Sequence, residues 1–120
     1  MAVSSEHEPL TEAFYYILLT LHTPMHGYGI MKFIKKISNG RLVLVSGALY
    51  GAIKTLQEKG WIQALDTEAD SRKKEYELTL IGKKVVQNEI NRLQELLKNG
   101  NHITRDESID DNKMETLPQV

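Results

Sequence analysis

A few groups of residues in this 120-residue chain have types and spacings that chemistry or recognition could use. His22 and His26 are four apart, the separation at which two imidazoles on one helix face can share a metal ion. Thr23-Pro24 interrupts any helix between them, and no cysteine or carboxylate in the motif completes a ligand set. Gly27-Tyr28-Gly29 looks like a piece of a phosphate-cradling loop, but the third glycine and the preceding strand are missing. Packing at a helix start explains it better. No paired-carboxylate, nucleophile–base or metal arrangement survives placement on the expected elements, so an enzyme is the poorest reading. No cofactor and no metal is expected. What remains is cationic: Lys32, Lys35 and Lys36, then Lys54, then Arg72-Lys73-Lys74. Ammonium and guanidinium groups neutralise phosphate, which is chemistry suited to nucleic acid.

The totals are compatible with that partner once they are divided. The formal net charge is -1, yet the last twenty residues carry two bases against five acids. A tail of -3 thus leaves a body of +2 over residues 1–100. With no cysteine, disulfides and thiolate metal sites are excluded. The first ten residues lack the charged start and apolar stretch of a signal peptide, and no apolar run approaches a membrane span. The expected location is cytoplasmic.

The elements that must position these residues follow from periodicity. A helical pattern runs from Leu10 through Ala13, Phe14, Ile17, Leu18 and Leu21, with Pro9 in its first turn and Pro24 as its stop. Tyr15, Tyr16 and Leu19 lie off that stripe, so the helix needs a second burial partner. A second helix opens near His26 and runs to about Ile37, with Ile30, Phe33, Ile34 and Ile37 inward and the lysines outward. Ser38-Asn39-Gly40 ends it, Gly40 supplying a positive φ. Residues 41–45 read as one small strand. Ser46 is expected to cap a third helix that ends at Gly60, with Leu49, Ala52, Ile53 and Leu56 in the core.

Two short strands follow, 61–65 and 73–79, with Tyr76 and Leu78 inward and the polar loop 66–71 between them. Thr79 then caps a last helix to Lys98, closed by Asn99-Gly100. Val86, Ile90, Leu93 and Leu97 on it are spaced as a heptad seam, too short to stand alone, which asks for a partner. The expected organisation is a flexible N-terminus (1–8), a body (9–79), a dimerisation helix (80–100) and a disordered acidic tail (101–120).

The order helix, helix, short strand, helix, hairpin, helix is a winged helix-turn-helix: mainly α with a small β-hairpin, plus a C-terminal dimerisation helix. In this arrangement the second helix of the motif enters the major groove and its partner crosses the backbone. The third helix is therefore the expected reader, presenting Ala48, Tyr50, Gly51, Lys54 and Thr55 away from the core. Ser46 and the free N–H groups of Gly47 and Ala48 offer a phosphate site. Lys54 can reach phosphate or a guanine edge. Arg72, Lys73 and Lys74 form the edge of the wing.

The stretches LTEAFYYILLTL (10–21), PMHGYGI (24–30), SGALYGAIKTL (46–56), KGWI (59–62) and SRKKEYELTLIG (71–82) closely resemble the PadR family of bacterial transcriptional regulators, in its short form with one C-terminal helix. HGYGI and LYGAIKTLQEKGWI are the specific parts; the rest is common to many winged helices. The resemblance implies a homodimeric repressor on an inverted-repeat operator in double-stranded DNA, paired through the first and fourth helices. It implies that His26, Gly27 and Tyr28 approach the DNA backbone, and that Ser46, Gly47, Ala48, Tyr50, Gly51 and Lys54 lie in or at the major groove. For the dimer it implies Tyr15, Tyr16, Leu19, Val86, Ile90, Leu93 and Leu97. Family members that trap flat aromatic drugs use a tryptophan on the fourth helix. Here that helix has no aromatic residue, and the single tryptophan, Trp61, stands at a strand start. A small-molecule effector, unidentified, would find its nearest aromatic side chains at Phe14, Tyr15 and Tyr16.

Each reading has a plainer competitor. Trp61 reads better as an anchor than as a ligand stacker, and Lys83 and Lys84 as solvated. Lys32, Lys35 and Lys36 are either a solvated face or a backbone contact. Tyr50 could serve the core from its helix flank. A winged helix used only for protein–protein contact is the rival function; it should show apolar or acidic residues where this chain has Tyr50, Lys54 and the basic wing.

Overall fold

The hydroxyl of Thr11 accepts the Phe14 N–H at 3.1 Å and so starts α1 (Glu12–Thr20). Pro9 lies outside the helix, before its cap. The computed structural model describes residues 9–65 and 73–105. After Pro24 the chain forms a two-residue strand, β1 (Met25–His26), then α2 (Gly27–Ile37), α3 (Ser46–Glu58), β2 (Ile62–Leu65), β3 (Glu75–Leu78) and α4 (Leu80–Thr104). The expected flexible start (1–8), the loop 66–71, Arg72 and residues 106–120 of the acidic tail lie outside the described residues.

The chain divides into two units, residues 1–89 and 90–120. The first is built on Ile17, Leu18 and Leu21 of α1 and its end, Ile30 and Ile34 of α2, and Leu49, Ile53 and Leu56 of α3, all buried. Trp61, Ile62, Tyr76, Leu78, Val85 and Val86 complete it. Tyr76 and Leu78 face inward as the alternation predicts. Trp61, only 3% exposed, is an anchor of this core, with Lys59 Nζ 5.0 Å over its ring. Ala52 is half-buried.

Several expectations need correction. Residues 41–45 form no strand. They alternate as a strand would, with Val43 and Val45 outward, but the sheet runs β1-β3-β2 and both edges of β3 are occupied. Met25 pairs with Tyr76 and His26 with Glu75 on one side; Ile62 pairs with Leu78 on the other. The small hairpin thus becomes a three-stranded antiparallel sheet, its third strand too short to show alternation. Phe33 and Ile37, expected inward, are 39% and 45% exposed. The α1 and α3 helices cover α2 along the Ile30–Ile34 line, and Phe33 and Ile37 stand at its flank and last turn.

Ser46 does not cap α3 either: Val45 is the N-cap, with no side-chain bond, and Ser46 is the first helical residue. The stop at Ser38-Asn39-Gly40 is as expected, with Asn39 at φ 56° and Gly40 at φ 78°.

Thr79 does cap α4. Its hydroxyl accepts the Gly82 N–H at 3.1 Å and donates to the Gly60 carbonyl at 2.6 Å, while its own N–H donates to Trp61 O at 3.0 Å. The helix passes through Asn99-Gly100, the expected stop, and continues over residues 101–104 of what read as tail. Thr104 Oγ1 donates to Gly100 O at 2.8 Å, and the Arg105 N–H bonds Asn101 O, so the ladder carries on past a glycine that costs only about 1 kcal/mol. No helix among the described residues is long and apolar enough to cross a membrane.

A Cβ at Gly82 would run into the backbone carbonyl oxygen of Trp61 and meet Leu78 Cδ2 at 3.0 Å, whereas one at Gly100 meets nothing within 4 Å. Gly82→Ala is therefore expected to destabilise by about 1–3 kcal/mol through overpacking against backbone. Gly100→Ala, on the same helix, should be neutral or stabilise by up to about 1 kcal/mol. Urea unfolding of both variants checks the pair, and equal effects would refute the close approach.

Candidate nucleic-acid interface

The outer face of α3 is made of small and polar residues because Leu49, Ile53 and Leu56 take every inward position. Ser46, Gly47, Ala48, Tyr50, Gly51 and Lys54 are exposed, and a Cβ at Gly47 or Gly51 would meet open space. Without a side-chain cap, the first-turn N–H groups of α3 have no intrahelical acceptor and point outward at the positive end of the helix dipole. Among the described residues this face carries no carboxylate before Glu58. Chemically it can accept a phosphate at its start and place a lysine, Lys54, about two turns further on.

The start of α2 lies against the same region. His26 is its N-cap, its Nδ1 accepting the Gly29 N–H at 3.0 Å. The other histidine turns back on α1: His22 Nδ1 lies 3.2 Å from Leu18 O and 3.1 Å from Leu19 O. The two rings thus serve different helix ends, and among the described residues no group of three His, Asp or Glu could hold a metal ion.

Gly27 is buried because the phenol of Tyr50 rests on it; a Cβ there would overlap the Tyr50 hydroxyl and meet its Cζ at 2.6 Å. Tyr50 also helps, after burial, to raise the Tyr76 phenol above its ordinary range. Tyr50 is 42% exposed, so it both packs against α2 and presents surface. The sequence holds the two residues 23 positions apart with no local signal joining them, which is why this contact is a finding of the fold. Gly29 is similarly crowded, by Met25 and the His26 ring. Tyr28, by contrast, is 62% exposed with Lys32 Nζ 5.4 Å over its ring.

The wing is the β2–β3 hairpin, braced across its outer face by Gln63 Nε2 donating to Glu77 at 2.9 Å. Lys73 is exposed and Lys74 half-buried at its return edge, while Arg72 lies outside the described residues.

A model of the transcriptional regulator PadR-like family matches residues 17–88, which include β1, α2, α3, the wing and the start of α4. The chain belongs to the PadR-like family. It is therefore a transcriptional regulator that acts by binding DNA, and its family is one of regulators, not of enzymes. Among solved structures it is similar to a transcriptional regulator from Clostridium thermocellum, with 25% identity and a TM-score of 0.66, over 77% of this chain and 89% of that one. It is also similar to a PadR-like transcription factor from Bacteroides fragilis, with 26% identity and a TM-score of 0.63, over 76% and 88%. No curated protein matches it in sequence.

The residues expected at a dimer interface are distributed unevenly. Tyr15, Tyr16 and Leu19 of α1 are half-buried, with the two tyrosine rings 6.1 Å apart. Val86 is only 2% exposed and belongs to the core of the first unit, so it has no surface left to offer a seam. In the second unit Ile90 is half-buried, and Leu93, Leu96 and Leu97 are 37%, 52% and 64% exposed. Sequence reading passed over Leu96, which breaks the heptad spacing, and Glu89. That carboxylate is 4% exposed, accepts the Leu10 N–H at 3.3 Å and, with burial, raises the Tyr15 phenol.

The Gly27–Tyr50 contact gives a direct test. Gly27→Ala should displace the ring and cost about 1 kcal/mol or more. In a Tyr50→Ala background the same change should cost almost nothing, leaving a coupling energy of about 1 kcal/mol in a double-mutant cycle. Additive effects in denaturant unfolding would show that the two residues do not touch.

Proposed function

We propose that this PadR-like regulator is a homodimeric repressor that works in the cytoplasm on an inverted-repeat operator. In this reading α3 reads the major groove with Ala48, Tyr50, Gly51 and Lys54, while Ser46 and Gly47 sit on phosphate at its start. His26, Gly27 and Tyr28 approach the backbone, and Arg72, Lys73 and Lys74 of the wing contact phosphate or the adjacent minor groove. The observation that carries the reading is the α3 face itself: uncapped, small, free of carboxylate and open to solvent at its N-terminal end. A winged helix specialised for protein contact would be expected to be apolar or acidic there. Two readers related by a two-fold axis would meet half-sites about one helical turn, roughly 34–36 Å, apart.

Selection of bound duplexes from a random pool supplies the operator, and a salt titration then separates the roles. Lys73→Ala should weaken binding to operator and scrambled duplex in parallel and flatten the salt dependence by about one unit per contact. Changes at Ala48 or Lys54 should cost about 1–3 kcal/mol and alter preference at one operator position. If every α3 variant leaves the operator-to-scrambled ratio unchanged, α3 is not the reader.

Pairing is assigned to Ile90, Leu93 and Leu97, joined by Leu96, together with Tyr15, Tyr16 and Leu19 of α1. Support comes from the three exposed leucines in one stretch of α4, each worth about 1–2 kcal/mol if its remaining surface is covered. Leu93→Asp with Leu97→Asp should convert the dimer to monomer in sedimentation and lower operator affinity, with the thermal midpoint of the first unit retained. Tight operator binding by a monomer would refute the pairing.

A further inference from the structure

The segment that leads into α3 has few local holds on the rest of the fold. Residues 41–45 form no strand, Val43 and Val45 are exposed, and Val45 caps α3 without a side-chain bond. Its upstream end is fixed by the buried Ser38, whose hydroxyl accepts the Leu42 N–H at 3.0 Å. A long-range tie comes from Arg41, which reaches across 29 positions to Glu12 in the first turn of α1. Nη1 donates to Glu12 Oε1 at 3.0 Å and Nη2 donates to Oε2, so the guanidinium fork meets both carboxylate oxygens. Such a bidentate pair fixes direction as well as distance. Glu12 first, and after it the Tyr16 phenol one turn along α1, hold Arg41 in its charged form, above its ordinary range.

The pair makes a poor stabilising bridge and a poor DNA contact. The Arg41 and Glu12 side chains are 60% and 45% exposed, and exposed ion pairs contribute little to folding. Both terminal nitrogens of Arg41 are engaged by the carboxylate, and a carboxylate repels phosphate by its charge. What the pair does supply is geometry. It joins the loop entering α3 to α1, the helix assigned above to pairing. Ser46, the first residue of α3, follows Arg41 closely in the chain, so a swing of the loop displaces the free N–H groups at the helix start.

We infer that Glu12 and Arg41 are positioning residues for operator recognition: their ion pair clamps the entry of α3 to α1 and so sets where the reader helix stands. The inference rests on the DNA-binding reading above and deepens it. Neither residue touches DNA in this role. Scrambled duplex, held through phosphate, tolerates a small shift of α3, whereas contacts to base edges do not.

The test uses the full chain, the selected operator duplex and a scrambled duplex of equal length. Glu12→Gln, Arg41→Gln and the double variant are compared with wild type; the double variant keeps the wild-type net charge. Glu12→Gln removes a negative charge, so electrostatics alone predicts tighter binding to both duplexes. The clamp predicts the opposite for operator, a loss of about two- to five-fold for each bound protomer, the coupling that an exposed pair can carry. The double variant should lose the same factor on operator and nothing on the scrambled duplex, while thermal midpoints stay near that of wild type. Wild-type protein that binds neither duplex overturns both readings. If wild type binds operator and Glu12→Gln binds it as tightly or more tightly, the clamp alone is overturned. Arg41→Gln that then weakens both duplexes would make Arg41 a direct phosphate contact instead. An equal loss on both duplexes with a lowered thermal midpoint also overturns the clamp, since the pair would then serve only the fold.

Discussion

The joint at Thr79 is the point on which the DNA-binding unit depends. One residue ties the end of α3, the end of β3 and the start of α4: its hydroxyl bonds Gly60 O and the Gly82 N–H, and its amide bonds Trp61 O. Such bonds are worth about 1 kcal/mol each in net stability, but their larger effect is geometric. They bring the α4 backbone so close to Trp61 that position 82 has no room for a side chain. With Trp61 buried on one side and Leu78 on the other, the wing cannot tilt without opening the core.

The α3 helix is thus held at both ends by different means. At its C-terminal end hydrogen bonds dominate. At its N-terminal end there is no cap, and the hold is steric: the Tyr50 phenol lies on the bare Cα of Gly27. An uncapped helix start is a cost to folding, since first-turn N–H groups remain without an internal acceptor. In the proposed DNA contact, the same donors would be available to phosphate.

Charge is arranged by the same economy of partners. The acidic excess sits in the tail sequence, whereas α2, α3 and the wing edge hold lysines that no described carboxylate answers. Glu12 is the exception, and it is spent on Arg41, which holds its carboxyl below the ordinary range. Glu89 goes the other way, buried in α4 and bonded to the chain entering α1.

Periodicity was sufficient for the four helices, the hairpin and most of the core, because spacing of three and four or alternation by two is a local property of the chain. The PMHGYGI and LYGAIKTLQEKGWI runs were sufficient for the family, since they record side-chain requirements at close contacts. Local pattern could not locate β1, a two-residue strand defined by its pairing with β3, nor exclude residues 41–45, which alternate well but pair with no strand of the sheet. It could not tell that Val86 is buried while Leu97 is exposed, because both sit on one seam and only the core decides where cover ends. Nor could it pair Gly27 with Tyr50, or Gly82 with Trp61. Those contacts join residues distant in sequence, and their steric demand exists only once the helices and sheet have packed.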